Sequence, residues 1–243
     1  MSAMERVQFE VAQAASVARR AAMTEGVAFG GLYAAHYWMP IPPRLDELVA
    51  LREELARLTR GRLSHEAIVR IERIRDLIKQ IPHELVWQDR FLNVVTTEGK
   101  NAALTHILKG SAYTASQALG LIEDLAYSAV AAGNTAANIT TGSGSPANGW
   151  NEAPAATCAA RQTPSFGTAS GGSLGTSSAT AHATLATDTI KGAFLLCRSV
   201  AGVAPTTTVG NTSGALLSAG VFSGGDQPVS NGGTLNVTYT LSA

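Results

Sequence analysis

The chain has few charges for its length, only two cysteines and no long apolar run. Each shortage excludes a class of protein. Of 243 residues, 18 are Lys or Arg and 18 are Asp or Glu, so the formal net charge is zero. A balanced chain lacks the long-range field that steers a nucleic-acid or anionic-membrane binder to its target. We therefore expect protein partners, with no nucleic acid and no membrane. Cys158 and Cys197 lie far apart and form no Cys-x-x-Cys pair. They read as buried free thiols in a reducing compartment, not as a disulfide framework. The most apolar stretch, Gly26 to Met39, ends at Pro40; at about 14 residues it falls short of the roughly 20 that span a bilayer as helix. Met1 to Arg20 carries Glu5, Arg6, Glu10, Arg19 and Arg20 with no apolar core between them, so it does not read as a secretory signal.

Catalytic constellations are missing as well. His65-Glu66 and His83-Glu84 open like a zinc-protease helix, but neither is followed by the second histidine at the required spacing. His36, His65, His83, His106 and His182 show no metal-ligand pattern. Gly142-Ser143-Gly144 lacks the Lys-Ser/Thr that completes a phosphate loop, and no Gly-x-Ser-x-Gly elbow occurs. Asp46-Glu47 and Glu123-Asp124 are adjacent carboxylates, which on a helix or a strand do not face one another. The expectation is no catalytic residue, no metal and no cofactor.

What charge there is sits early. Residues 1–90 hold 13 of the 18 basic and 12 of the 18 acidic residues; residues 91–243 hold 5 and 6. The composition changes near residues 82–90, which marks a boundary between a helical arm, 1–82, and a β domain, 83–243. Val7 to Ala22 is Ala-rich and free of Pro and Gly, as a helix prefers. Leu45, Leu48, Leu51, Leu55 and Leu58 recur every three or four residues and predict an amphipathic helix over 45–60. A second helix is expected from an N-cap at Ser64 to about Gln80, with Ala67, Ile71, Ile74, Ile78 and Ile81 on one stripe. A short Gly-containing turn between them makes a helical hairpin.

The later part reads as strands. His83 to Val95 alternates, with Leu85, Trp87, Asp89 and Phe91 on one face and Val86, Gln88, Arg90, Leu92 and Val94 on the other. Both faces are partly apolar, as in a strand inside a sandwich. Thr97 can cap a short helix that packs Leu104, Ile107 and Leu108, and a strand follows over Gln117 to Ile122. Residues 131–178 are rich in Gly, Ser, Thr, Asn and Pro, a long loop that Trp150 and Phe166 pin to a core. Three strands close the chain: Thr189 to Arg198, Ala215 to Ser223, and Thr234 to Leu241 after the turn Asn231-Gly232-Gly233. The fold class is α+β, a helical hairpin region followed by a mainly antiparallel β-sandwich of jelly-roll type.

Two sets of side chains are candidates for contact with a partner. One is aromatic: Tyr33, Tyr37 and Trp38. The other is the stripe Leu48, Leu51, Leu55, Leu58, Ile71, Ile74 and Ile78. Aromatic residues are enriched at interface cores, and either set serves equally well in the chain's own core.

One stretch, Trp87-Gln88-Asp89-Arg90-Phe91-Leu92-Asn93-Val94-Val95-Thr96-Thr97-Glu98-Gly99-Lys100-Asn101, is followed by Lys109-Gly110-Ser111-Ala112-Tyr113-Thr114-Ala115 and Gly120-Leu121-Ile122. Further on come Gly149-Trp150-Asn151-Glu152, Ile190-Lys191-Gly192-Ala193-Phe194-Leu195 and Gly233 to Leu241. These ordered blocks resemble a family of small virion structural proteins of tailed phages, many of them short-tailed. The resemblance covers about residues 83–243. It implies a capsid decoration or cement protein on the virion surface, assembled in the host cytoplasm. The implied partners are the major capsid protein and copies of itself as a homo-oligomer. No catalytic residue is carried over. The chain departs from the family pattern in its first 80 residues and at Gln117-Ala118-Leu119. The alternative within the particle is a tail or head fibre that meets a host receptor. Beyond it stand a host-wall hydrolase and a regulatory protein outside the virion.

Overall fold

In the computed structural model of this chain, Gly30–Pro40 forms a strand, β1, in the middle of the sheet. The structure describes residues 30–40, 44–59, 65–81, 83–108, 116–125, 127–140 and 149–242. Val7–Ala22, Ser64, Lys109–Ala115 and Gly142–Gly144 lie outside them, as do the side chains of Leu45, Ile107 and Leu108. In β1, Tyr33, Ala35 and Tyr37 are buried, while Ala34, His36 and Trp38 on the other face are half-buried. This is the period-two pattern of a strand with one face on a core. The assignment of residues 30–40 to a helical arm is thereby corrected, and the 82/83 boundary does not divide helix from sheet. The cause is non-local pairing: β1 lies between His83–Val95 (β2) and Thr234–Ser242 (β11), both antiparallel to it.

Between β1 and β2 come two helices, α1 (Leu45–Thr59) and α2 (His65–Gln80), which pack against each other. Leu48, Ile71, Ile74 and Ile81 form their enclosed seam. Asp46 and Glu47 in the first turn of α1 complement its dipole. Strand β2 then pairs β1 with a bulge: Tyr37 stands opposite Trp87, yet Trp38 stands opposite Leu85. The extra residue is Val86, and a bulge of this kind twists and re-aims the strand.

The last two residues of β2 leave β1 and join a second part of the sheet. Val94 and Val95 pair Ala219 and Ser218 of β9 (Ala215–Val221). Strand β9 pairs β8 (Asp188–Cys197), which also pairs β3 (Gln117–Glu123) and the short β10 (Gln227–Val229). On the far side β11 carries two short strands, β6 (Ser173–Gly175) and β7 (Thr180–Ala183). The result is one curled nine-stranded sheet whose strand pairs are antiparallel, plus a separate two-residue parallel pair, β4 (Ile139–Thr140) with β5 (Trp150–Asn151). Three helices and this sheet make an α+β fold.

The concave side of the sheet holds the main core. Tyr33, Tyr37, Phe91, Leu235, Val237 and Tyr239 from one part meet Leu119, Leu121, Ile190, Leu195 and Val229 from the other. Phe222, just past β9, stands edge-on to both Phe91 and Trp87, with ring centroids 4.9 and 5.3 Å away. The Tyr33 hydroxyl reaches Ser218 Oγ at 2.9 Å, a cross-core tie from β1 to β9. A second cluster covers the outer face of β3, β8 and β9, where Phe194 and Leu196 pack on Trp150, Ile139 and Ala136. Strand β8 is therefore apolar on both faces because both faces are buried. Trp150 is fully buried with Ile139 and Phe194, and the half-buried Phe166 packs on the main core, so both are tied to a core as expected.

Several local expectations change. The strand β2 does not lie inside a sandwich along its length, since Gln88, Arg90 and Leu92 are exposed. The third helix, α3 (Thr97–Leu108), is capped by Thr96 and not Thr97. Thr96 Oγ1 accepts the Gly99 N–H at 3.0 Å and donates to the Leu216 carbonyl, so the cap is also a tie to β9. Leu104 is exposed, and among the described positions of α3 Gly99 and Ala102 are buried. The turn before β11 uses Gly232 at φ +91°, a conformation open to glycine.

The β8–β9 contact leaves no room for a side chain at Gly192, where a Cβ would lie 2.1 Å from the Gly220 carbonyl oxygen. Gly192→Ala is expected to cost about 1–3 kcal/mol by forcing these backbones apart. Gly30→Ala, where a Cβ meets nothing within 4 Å, is expected to stay within about 0.5 kcal/mol of the parent. Denaturant unfolding of the two variants checks the contrast.

Candidate interaction surface

The side chains proposed for partner contact divide sharply on folding. Tyr33, Tyr37, Leu48, Ile71 and Ile74 are enclosed by their own chain. Trp38, Leu51, Leu55, Leu58 and Ile78 are half-buried. The interface role is therefore withdrawn for the first five. Their apolar faces are already spent on the sheet core and the helix seam, and exposing them would undo the fold that presents them.

Another set of apolar side chains faces outward. Ile68 and Val69 begin α2, Leu77 stands on its last turns, and Leu85 and Val86 open β2. Val69 is 57% exposed and Val86 53%. Five of the eleven large exposed hydrophobic residues described thus fall between residues 68 and 86, along α2 and at the start of β2. The bulge explains Leu85 and Val86, because the added residue turns this end of β2 away from the concave core. Nearby, Ile81 is buried and the His83 imidazole Nδ1 lies 2.7 Å from the Ile81 carbonyl, which fixes the turn from α2 into β2.

The helix pair also carries charge. Arg70 of α2 pairs with Glu54 of α1, and Arg57 lies 4.0 Å from the same carboxylate. With Ala50 and Glu53 these residues line a shallow groove between the helices. Such exposed pairs contribute little stability. They give the groove alternating charge suited to polar contact around an apolar centre. Helix α1 is held to the sheet by Arg52, whose guanidinium lies 3.4 Å from the Thr184 carbonyl and 3.5 Å from the Gly233 carbonyl.

Polar groups inside the molecule serve structure. Arg161 and Glu152 form a buried bidentate ion pair, Nε to Oε1 and Nη2 to Oε2, both 2.7 Å. Glu152 also accepts the Gly210 N–H at 2.7 Å, and the guanidinium stacks 5.4 Å from the Phe194 ring centroid. Two loops are thereby clipped to β3 and β8. Sequence reasoning missed this pair, since two opposite charges nine residues apart in a loop carry no periodic signal. Asp89, on the inner face of β2, binds the Ser223 hydroxyl and the Gly224 N–H. Among the histidines, His106 Nε2 lies 3.0 Å from the Ser199 carbonyl, His36 is half-buried and His182 is buried. Among the described residues, no group of three or more His, Cys, Asp or Glu is placed to hold a metal ion. Glu123 has its carboxyl pushed up by partial burial, then by Asp188 and Asp124. Cys158 and Cys197 are free and buried, as expected from sequence, and burial pushes both thiols up to about 12.

Comparison of the chain with protein-family models, with curated proteins and with solved structures gives no match.

Two outcomes follow from the buried groups. Arg161→Met strands the Glu152 carboxylate in the core and is expected to cost about 3–5 kcal/mol in denaturant unfolding. The pair replacement Glu152→Leu with Arg161→Met is expected to recover much of that loss. Both thiols are expected to resist alkylation at neutral pH in the folded chain and to react fully in denaturant, since thiolate is the reactive form and burial suppresses it; mass spectrometry of the alkylated chain reads this directly.

Proposed function

We propose that this chain is a structural protein of a tailed-phage particle, a decoration or cement protein that binds the shell of major capsid protein and copies of itself. The reading rests on the resemblance of residues 83–243 to small virion structural proteins. One observation supports it: exposed apolar side chains along α2 and at the start of β2, Ile68, Val69, Leu77, Leu85 and Val86. In this reading the curled sheet is a jelly-roll-like sandwich that sits on the outer shell. Helices α1 and α2 are a hairpin that grips a capsid subunit or a symmetry mate. The chain acts by binding and not by catalysis, and it takes no cofactor.

The energetic logic is that of a weak contact repeated. Apolar area removed from water gains roughly 25 cal/mol per Å², and much of that gain is offset by the cost of association. Copies that also touch one another on a lattice turn a modest single contact into firm attachment. The small net charge of the β part lets many copies crowd together without strong mutual repulsion.

Particles that lack this chain are expected to lose resistance to heat and osmotic shock, and adding the purified chain back is expected to restore it. The variant Val69→Asp with Val86→Asp alters two exposed side chains, so its unfolding midpoint is expected to match the parent. Its affinity for such particles is expected to fall by at least about tenfold, roughly 1.4 kcal/mol, in a cosedimentation assay. Unchanged particle stability without the chain would remove the cement role.

A further inference from the structure

Strand β7 is short, lies at one end of the sheet, and hides a histidine. Thr180, His182 and Thr184 are buried while Ala181 and Ala183 are exposed. His182 is 1% exposed, and neither of its ring nitrogens has a hydrogen-bond partner. It stands opposite Leu235 of β11, and Leu235 stands opposite Tyr37 of β1. The imidazole is thus set in a row of the apolar main core. A neutral ring can be held there, whereas a charged ring without a counter-charge strongly disfavours such a site.

The ionisable groups on the surrounding elements give it no such partner. Helix α1 offers Arg52, a second cation. Strand β1 offers Tyr37, whose hydroxyl accepts the Ser230 N–H at 2.6 Å. The chain flanking β7 offers Asp188, which accepts the Thr157 hydroxyl at 2.6 Å, and the buried Cys158. Strand β11 presents Leu235 at this level, and its own ionisable residue, Tyr239, lies four positions on.

The residue that follows β7 is where α1 meets the sheet. Thr184 donates its N–H to the Gly233 carbonyl at 3.0 Å and its hydroxyl to the Ser230 carbonyl at 2.6 Å. Its own carbonyl accepts the Gly232 N–H at 3.0 Å and lies 3.4 Å from the Arg52 guanidinium. The end of β7 and the anchor of α1 therefore share one residue, two positions from the buried ring.

We propose that His182 is an acid-operated latch. When its ring takes up a proton, β7 is driven off β11, the Thr184 seat is lost, and α1 and α2 come away from the sheet. Burial alone lowers the His182 pKa, from 6.5 to about 4. The chain with β7 open therefore binds this proton first as the pH falls. Stability due to the neutral ring is complete above about pH 6.5 and is lost progressively towards pH 4. The latch is independent of whether α2 meets a capsid, and it makes the placement of the exposed apolar side chains of α2 sensitive to acid.

Hydrogen exchange of the full chain, followed by mass spectrometry at pH 7 and at pH 4.5 and corrected for intrinsic rates, tests this. Residues 45–80 and 180–184 are expected to lose protection at pH 4.5 while β3, β8 and β9 keep theirs. His182→Leu is expected to abolish that loss, and His36→Gln is expected to leave it as in the parent. Equal protection of residues 45–80 at both pH values overturns the latch, as does an unaltered acid response in His182→Leu. Should His182→Leu fail to fold, an NMR titration of the parent ring decides. Proton uptake that coincides with the release of residues 45–80 supports the latch, and uptake without release overturns it.

Discussion

Strand β2 is bound to both parts of the sheet, and the rest of the fold depends on that double membership. Most of its length is hydrogen-bonded to β1, and its last two residues pair with β9. Its long ladder with β1 and its two-residue ladder with β9 make β2 the line along which the two parts of the curled sheet are joined. Once curled, the inner faces of β1, β2 and β11 confront those of β3, β8 and β10 across the aromatic cluster of Tyr33, Phe91, Phe222 and Tyr239. The same strand sets the ends of its neighbours. Its bulge near Trp38 turns Leu85 and Val86 outward beside the helix pair, and Thr96, the residue after it, caps α3 and ties that helix to β9.

Much of this was legible in sequence, for physical reasons that can be named. The alternation of Leu235, Val237 and Tyr239 with Asn236, Thr238 and Thr240 reports a strand with one buried face, and β11 is such a strand. Ile190 to Cys197 is apolar at almost every position, and β8 is buried on both faces. The Leu and Ile stripes located α1 and α2 to within a residue or two. Strand β1 was not legible. Its alternation of aromatic with small residues sits beside three prolines, and its partners are reached through two helices on one side and nearly the whole chain on the other. Pairing over such distances leaves no local trace.

The interaction surface was hidden for a related reason. A hydrophobic stripe identifies side chains that must be covered but does not say by what. In α1 and α2 the cover is internal, because Leu48, Ile71 and Ile74 are buried within their own chain. The residues left outside, Val69 and Val86 among them, fall off the stripe or in a bulge, where periodicity carries no information. The Arg161–Glu152 pair illustrates the same limit for charge. Two of the few charged residues in the later part of the chain are placed where water does not reach, and only the three-dimensional meeting of loops 149–161 and 206–210 makes that tolerable.

The ends of the sheet bear on how this molecule can associate. At one end, β3 is closed off by loop backbone: Leu119 exchanges hydrogen bonds with Gln162, at 2.8 and 3.0 Å, and the Leu121 carbonyl accepts the Ala153 N–H at 3.0 Å. At the other end, β6 and β7 are three and four residues long and are separated by a break, so no long ladder of free peptide groups is offered. Both devices oppose the addition of a strand from another chain. Helix α2 and the start of β2 carry five of the eleven large exposed apolar side chains among the described residues. Association through such side chains is then favoured over strand addition at those two ends.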